Sequence, residues 1–121
     1  MREIKFRAWV RRLDKMCNVT GIDFERNEIN ILRPGWHMSE WLRRDQVEIM
    51  QYTGLKDMNG VEIYECDVVR FDTNVQILES EVTYYHGMFT IKKYGEKILL
   101  FTALKVIGNK FENPELLGVE E

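Results

Sequence analysis

The sequence predicts an all-β fold with one or two short helical turns, and three observations lead to that prediction. Apolar and polar residues alternate with period two in several segments. Clusters of Gly, Asn, Asp and Pro separate these segments at spacings of roughly ten residues. The 121 residues are 45% hydrophobic and 31% charged, which is typical of a packed chain rather than a disordered one. Such a chain is expected to form a small barrel or sandwich.

The first strands are predicted by alternation near the N-terminus. In residues 4–10, apolar side chains fall on one face and charged or aromatic side chains on the other. A turn at Asp14–Lys15 and a second strand over residues 16–24 complete a predicted hairpin. Residues 28–32 form a predicted third strand.

The next stretch, residues 36–46, is expected to interrupt the β pattern. Ser39 is expected to cap a short helical turn that packs Trp41 and Leu42 inward. Such a short turn needs tertiary contacts for its stability. Extended chain is expected to resume over residues 47–50.

The C-terminal half is predicted to consist of short strands and turns. Asp57–Gly60 is the strongest turn signal, because Asn-Gly tolerates the positive φ angles of tight hairpins. Further turns are expected at residues 65–67, His86–Gly87, Gly95 and Gly108–Asn109. The predicted strands are residues 61–64, 68–71, 75–85, 88–94 and 97–106. Pro114 is expected to begin a helical turn over residues 114–117.

Composition also indicates location and charge. The N-terminus interleaves charged and apolar residues, and no run of about 18 apolar residues occurs, so we expect a cytoplasmic protein that crosses no membrane. Cys17 and Cys66 are expected to be buried free thiols. Residues 1–44 carry ten basic and six acidic residues, whereas residues 45–121 carry seven and fourteen. This asymmetry would attract a polyanion to the N-terminal part or neighbouring copies to each other, or it reflects uneven partition alone.

The sequence offers few residues for catalysis or metal binding. His37 and His86 lack partners at ligand spacing, so neither a metal nor another cofactor is predicted. A calcium loop around Gly60 is excluded because Leu55 and Cys66 would occupy its first and last ligand positions. A nucleophile motif and a Gly-rich phosphate loop are likewise absent from the sequence. We therefore predict a non-enzyme, and a small enzyme without a recognisable motif remains the third hypothesis.

A basic and aromatic surface is the candidate site. Basic side chains interleaved with aromatic rings hold phosphates and stack bases in nucleic-acid-binding proteins. The alternative, which we favour, is that the tryptophans lie in the core or at a subunit interface with Arg stems packed around them. The candidate residues are Lys5, Arg7, Trp9, Arg11, Arg12, Trp36, Arg43 and Arg44.

Three sequence blocks resemble one family. Gln51–Asp57, followed by Asn59-Gly60 and Ile63–Glu65, is similar to the signature of the YopX family of small phage and prophage proteins. Ile4–Trp9 resembles the family's first strand. Val106–Asn109 with Glu112–Leu117 resembles its C-terminal block, so the resemblance spans essentially the whole chain.

The resemblance implies an architecture and a context rather than an activity. It implies an N-terminal β subdomain over residues 1–50 and a C-terminal SH3-like or barrel-like subdomain over residues 51–121. It also implies self-association and a phage-derived role in the cytoplasm of a bacterial host. The family usually has Gly where this chain has Cys66. A positive φ there would cost Cys66 about 1 kcal/mol, whereas a type I turn would cost nothing.

These observations lead to a ranked set of functional hypotheses. The first is a non-enzymatic, phage-derived accessory protein that forms a homo-oligomer and binds a phage or host macromolecule. The second is a nucleic-acid-binding module, whose salt-sensitive binding would be lost when Arg7 and Arg11 are both replaced by Ala.

Overall fold

The structure is a computed structural model that describes residues 3–72, 75–85, 87–91, 96–97 and 104–117. Its described residues form β-strands and two short 3₁₀ helices, which confirms the predicted all-β class. The chain divides into two compact units, one over residues 3–51 and the other from Tyr52 onward. Strand β5 begins in the first unit and continues into the second.

The N-terminal unit is an antiparallel sheet in the order β4-β3-β2-β1-β5. Alternating side chains on one face of the sheet form the core, and the predicted hairpin and third strand are confirmed. The elements are β1 (Phe6–Val10), β2 (Lys15–Asp23), β3 (Glu28–Leu32), β4 (Glu40–Arg43), a 3₁₀ helix (Arg44–Gln46) and β5 (Val47–Lys56). The buried core residues are Ala8, Val10, Cys17, Ile29, Ile31, Leu42 and Val47.

The prediction for residues 36–46 is wrong in its order and in one side-chain direction. A strand, β4, stands where the helical turn was expected, and the 3₁₀ helix follows it. β4 pairs with β3, so its side chains alternate between the two faces of the sheet. Leu42 therefore enters the core as expected, whereas Trp41 lies on the opposite face and is 52% exposed.

The C-terminal unit contains a second antiparallel sheet in the order β10-β9-β8-β7-β11, and β6 pairs with the later part of β5. The predicted meander is confirmed where residues are described. The elements are β6 (Glu62–Tyr64), β7 (Asp67–Asp72), β8 (Ile77–Tyr85), β9 (Met88–Ile91), β10 (Glu96–Lys97), β11 (Lys105–Asn109) and a 3₁₀ helix (Pro114–Leu117). The buried core residues are Ile63, Val69, Phe71, Val82, Ile91 and Leu104.

Two predictions in this unit need correction. Other predictions fall on residues outside the described ones. Gly108–Asn109 was expected to be a turn, but it ends β11, and the chain turns after it. The single predicted strand over residues 97–106 is divided between β10 and β11. The predicted turn residues His86 and Gly95, and the strand residues 92–94 and 98–103, lie outside the described residues. The helical turn at Pro114–Leu117 is confirmed.

Candidate functional site

Asp57, in the most distinctive sequence block, organises a turn. Its carboxylate accepts hydrogen bonds from the backbone N–H groups of Asn59 at 2.8 Å, Val61 at 2.9 Å and Val106 at 2.9 Å. Gly60 adopts a φ of +82°, as expected for the Asn-Gly turn. Burial alone raises a carboxyl pKa, but these three donors and nearby Lys105 outweigh it, so the pKa of Asp57 is lowered. The Asp57 carboxylate therefore links the β5–β6 turn to β11 through hydrogen bonds.

Asp67 and Asn109 also accept hydrogen bonds from the backbone. Asp67 accepts a hydrogen bond from the Tyr64 N–H at 2.8 Å. The side-chain oxygen of Asn109 accepts from the N–H groups of Phe111 at 3.0 Å and Glu112 at 2.9 Å. Because these groups satisfy the backbone of tight turns, the signature is explained by folding.

Gly108 is required by a close approach within the C-terminal block. A Cβ atom at this position would overlap the side-chain amide of Asn113 and lie 2.9 Å from Cδ1 of Leu116. The Asn113 side chain also accepts a hydrogen bond from the Asn109 N–H at 3.2 Å. The Gly-Asn pair thus lets the 3₁₀ helix pack onto the end of β11.

The two cysteines occupy different environments. Cys17 is buried in the N-terminal core, as predicted, and burial raises the pKa of its thiol; nearby Arg33 lowers this pKa to a smaller extent, and Glu40 raises it. Cys66 is only half-buried and has a φ of +70°, which selects the strained alternative for its turn. Its N–H donates to the Val82 carbonyl oxygen at 2.8 Å.

The predicted basic residues lie on several elements of the N-terminal unit. Lys5 precedes β1, Arg11 and Arg12 lie in the β1–β2 turn, and Arg44 lies in the 3₁₀ helix. Among the ion pairs between described residues are Lys5 with Glu3 at 3.3 Å, Arg11 with Glu48 at 2.5 Å, Arg12 with Glu40 at 3.4 Å and Arg43 with Asp45 at 3.3 Å. Arg44 is exposed and forms no ion pair with any residue that the structure describes. The surface is therefore less basic than its Lys and Arg content indicates.

The structure brings three of the predicted residues onto one face. Arg7, Trp9 and Arg43 lie on the face of the N-terminal sheet opposite its core. Trp9 is only 8% exposed, so its ring offers little surface to a ligand.

The exposed apolar surface of the N-terminal unit is concentrated on the β3–β4 hairpin. Trp36, Met38 and Trp41 are 55%, 79% and 52% exposed, and we call these three residues the hairpin patch. The guanidinium of Arg33 stacks over the Trp36 ring at 4.3 Å. The Trp41 ring packs against Gly21 on β2, with Cη2 at 3.5 Å from the position of a Gly21 Cβ. Each indole is thus supported on one side and retains exposed surface.

Three residues of this region, Arg33, Met38 and Trp41, are not among the predicted site residues. Arg33 forms an ion pair with Glu40 at 2.9 Å as well as its stack on Trp36. The sequence signal was the presence of three large apolar residues within positions 36–41, flanked by Arg33-Pro34-Gly35. That cluster lacks helical or strand periodicity, which is typical of an exposed loop.

β4 is the last strand of its sheet among the described residues, and its outer edge has a definite hydrogen-bonding pattern. The Arg44 N–H donates to the Asn27 carbonyl oxygen at 3.0 Å, so the even-numbered residues of β4 face β3. The N–H groups of Trp41 and Arg43 consequently point away from the sheet. The Arg43 N–H donates to Oε1 of Gln46 at 2.8 Å. One outward amide of this edge is therefore covered by a side chain of the same chain.

Known proteins share this architecture of antiparallel sheets and hydrogen-bonded turns. A family model described as YopX protein matches residues 5–118. The chain belongs to the YopX family, which confirms the resemblance. It is similar to the crystal structure of protein EF1440 from Enterococcus faecalis, with 30% identity, a TM-score of 0.71, and 97% of this chain and 99% of that chain covered.

A second solved structure shares the fold. The crystal structure of protein YopX from Bacillus subtilis has 20% identity and a TM-score of 0.64, and all of both chains is covered. No curated protein matches the chain. Among the described residues, none of the helices is long and apolar enough to span a membrane. Within the same residues, no group of three or more His, Cys, Asp or Glu side chains is placed to hold a metal ion.

Proposed function

We propose that this chain is a non-enzymatic binding module, encoded by a phage or prophage, that assembles as a homo-oligomer and binds a macromolecular partner. It would act in the cytoplasm of the bacterial host. The exposure of the hairpin patch carries this proposal. Three large apolar side chains exposed within positions 36–41 of one hairpin are typical of an interaction surface.

The use of the signature residues supports a binding role over catalysis. The carboxylates of Asp57 and Asp67 and the amide of Asn109 are committed to backbone hydrogen bonds. Burial keeps the Cys17 thiol protonated, and a protonated thiol is a poor nucleophile. The carboxylates and the amide fix turns of the C-terminal unit, which is a role in folding rather than in catalysis.

Self-association is supported by the sheet edges and by the charge distribution. Strands β4, β10 and β11 end their sheets among the described residues, and sheet edges offer backbone groups for pairing between copies. We also propose that the C-terminal part, predicted over residues 51–121, is an SH3-like barrel, and that residues 1–50 form the second subdomain. This arrangement would present separate surfaces for assembly and for partner binding.

Sedimentation velocity of the purified chain tests the assembly. The proposal predicts a species larger than the 14.5 kDa chain whose fraction rises with concentration. A double variant, Trp36→Ser with Trp41→Ser, should retain the circular dichroism spectrum and lose a partner co-purified from the host. Phe24→Ser is the matched control, because Phe24 is also exposed but lies outside the hairpin patch. A strictly monomeric chain without a partner would contradict the proposal.

Nucleic-acid binding is the second candidate, and Arg44 favours it, because this residue is exposed, lies close in sequence to Trp41 and forms no ion pair with any residue that the structure describes. Basic and aromatic side chains together bind single strands through phosphate contacts and base stacking. A mobility-shift assay at low salt tests it with Arg44→Ala and with Arg7→Ala combined with Arg11→Ala. Binding that is weakened by salt and by these variants would support this candidate, and no shift would exclude it.

A further inference from the structure

We propose that the outer edge of β4 binds an extended, acidic peptide segment of a partner protein, which adds to the sheet as a further strand. This inference rests on the proposed binding function and specifies its surface and the chemistry of its partner. Addition of a strand to an exposed sheet edge is a common mode of peptide recognition, in which backbone hydrogen bonds supply affinity and side chains supply selectivity. β4 meets the requirement because it ends its sheet among the described strands.

The outward amides of β4 are placed for such pairing. Residues 40, 42 and 44 face β3, so the N–H and C=O groups of Trp41 and Arg43 face away from the sheet. Arg43 has φ −69° and ψ 148°, which is extended backbone suited to continue a ladder. The edge therefore presents two residues with the alternation that a partner strand requires.

Gln46 shows which kind of group pairs with the outward N–H of this edge. Its side-chain carbonyl oxygen lies 2.8 Å from the Arg43 nitrogen, in the place where the backbone carbonyl of an added strand would lie. An amide side chain and a peptide group carry the same acceptor, so Gln46 imitates one contact of a partner strand. A bound peptide would replace this contact by its own carbonyl group, and Gln46 would compete with it.

Side chains beside the edge define the chemistry of the peptide. Trp41 lies on the face opposite the core with half of its surface exposed, which suits an apolar side chain of the added strand. Arg43 lies on the same face, and its partner Asp45 is highly exposed, so their ion pair is weak. Arg44 has no carboxylate partner among the described residues, so an acidic peptide residue would supply one. These features favour an apolar residue with a carboxylate beside it.

A selection of random short peptides displayed on phage, followed by fluorescence polarisation of the most enriched synthetic peptide, tests the proposal. Enriched sequences should contain acidic residues and lack proline in their central positions. Arg43→Pro is compatible with the φ of −69° and removes the outward N–H, so it should weaken binding about tenfold. Arg43→Ala is the matched control, which loses the charge but keeps the N–H, so it should weaken binding only about threefold, clearly less than Arg43→Pro.

Two further variants separate the contacts. Gln46→Ala removes the competing acceptor and should strengthen peptide binding about threefold. Arg44→Ala should weaken it by a similar factor, with a larger effect at low salt. When the peptide binds, the Trp41 amide should become protected from hydrogen exchange. This protection is measured in the wild-type chain, so it tests the proposal even if Arg43→Pro does not fold.

Four results would overturn the inference. The first is failure to enrich any peptide, and the second is equal binding by Arg43→Pro and Arg43→Ala. The third is the loss of self-association in Arg43→Pro. That result would assign the edge to a second copy of the chain, and the proposed binding function would still stand. A mobility shift with single-stranded nucleic acid that competes with the peptide would assign the surface to that partner instead. If the oligomer persists in Arg43→Pro while peptide binding is lost, both proposals are supported.

Discussion

At the scale of single residues, backbone conformation and buried polar groups explain the positions that distinguish this sequence. Cys66 adopts a left-handed conformation that disfavours a Cβ atom. Asp57 gathers three backbone donors around one buried carboxylate. Both residues act on turns of the C-terminal unit, so their substitution should change stability rather than binding.

Cys66→Gly should stabilise the chain by about 1 kcal/mol, because Gly relieves the left-handed strain, offset in part by greater freedom of the unfolded chain. Urea denaturation monitored by tryptophan fluorescence measures the change. Cys66→Ala is the control, since it removes the sulfur and keeps the Cβ atom. Equal stabilisation by both variants would show that strain at this position is negligible.

Asp57→Asn should destabilise the chain by about 2 kcal/mol at pH 7, because a neutral amide is a weaker acceptor for the three N–H groups. The folded pKa of Asp57 is lowered, so its stabilising effect is present above the unfolded pKa of about 3.9 and is lost as the pH falls through the folded value. The stability difference between the wild type and Asp57→Asn should therefore shrink on acidification below about pH 4. A difference that stays constant down to about pH 2 would contradict this role.

At the scale of elements, the sheet edges and their connections determine which surfaces are available. Leu42 of β4 packs in the core, and Trp41 of the same strand stays exposed. One short strand thus contributes both to the core and to the hairpin patch. β11 ends at Gly108–Asn109, where the following 3₁₀ helix approaches closely. Packing is therefore close where the 3₁₀ helix meets the end of β11, whereas the Trp41 side chain on β4 stays exposed.

Gly108→Ala should destabilise the chain by about 2 kcal/mol, because the added methyl group overlaps Asn113 and Leu116. Gly21→Ala is a matched control, since its Cβ would be 3.5 Å from both Asn30 and Trp41, an ordinary contact. Denaturation midpoints of the two variants give the comparison. Loss of stability in Gly21→Ala equal to that in Gly108→Ala would argue against the close approach.

Sequence patterns predicted most of the strands, and they failed where contacts between distant residues decide the outcome. Alternation identified the first three strands, and Asn-Gly identified the turn at Gly60. The strand at residues 40–43 was missed because pairing with β3 outweighed the local capping signal at Ser39. The Gly108 turn was wrong because Gly there serves a close approach to Asn113.

The candidate site could be predicted only in part for the same reason. The basic residues of the N-terminal unit were visible in the sequence, but two of the carboxylates that neutralise them are far away along the chain. Glu40 pairs with Arg12, and Glu48 pairs with Arg11, across 28 and 37 positions. The outward direction of the Arg43 N–H depends on the register between β3 and β4, which composition does not encode.

At the scale of the whole molecule, charge is distributed unevenly along the chain. Residues 1–51 carry ten basic and eight acidic residues, whereas residues 52–121 carry seven and twelve. Opposite net charges on the two parts favour contacts between unlike parts of neighbouring copies. The proposed homo-oligomer would gain from this attraction in addition to pairing of sheet edges.

Self-association should therefore weaken as salt screens these charges. Raising ionic strength from about 0.05 M to about 0.5 M shortens the Debye screening length from about 14 Å to about 4 Å, so unlike charges on neighbouring copies attract each other less. Sedimentation velocity at a fixed protein concentration should show a smaller weight-average sedimentation coefficient at the higher salt. An unchanged or larger value would indicate that apolar contacts, rather than charge, hold the oligomer together.

Native mass spectrometry of the chain, isolated from bacterial cells without denaturation, tests the central claim most directly, because it reports subunit number and retained partners in one spectrum. A binding module that self-associates should give masses at multiples of the 14.5 kDa chain, with added mass from a protein partner. The added mass should be lost in Trp36→Ser combined with Trp41→Ser and retained in Phe24→Ser. A single species at 14.5 kDa, without any retained partner, would contradict the account.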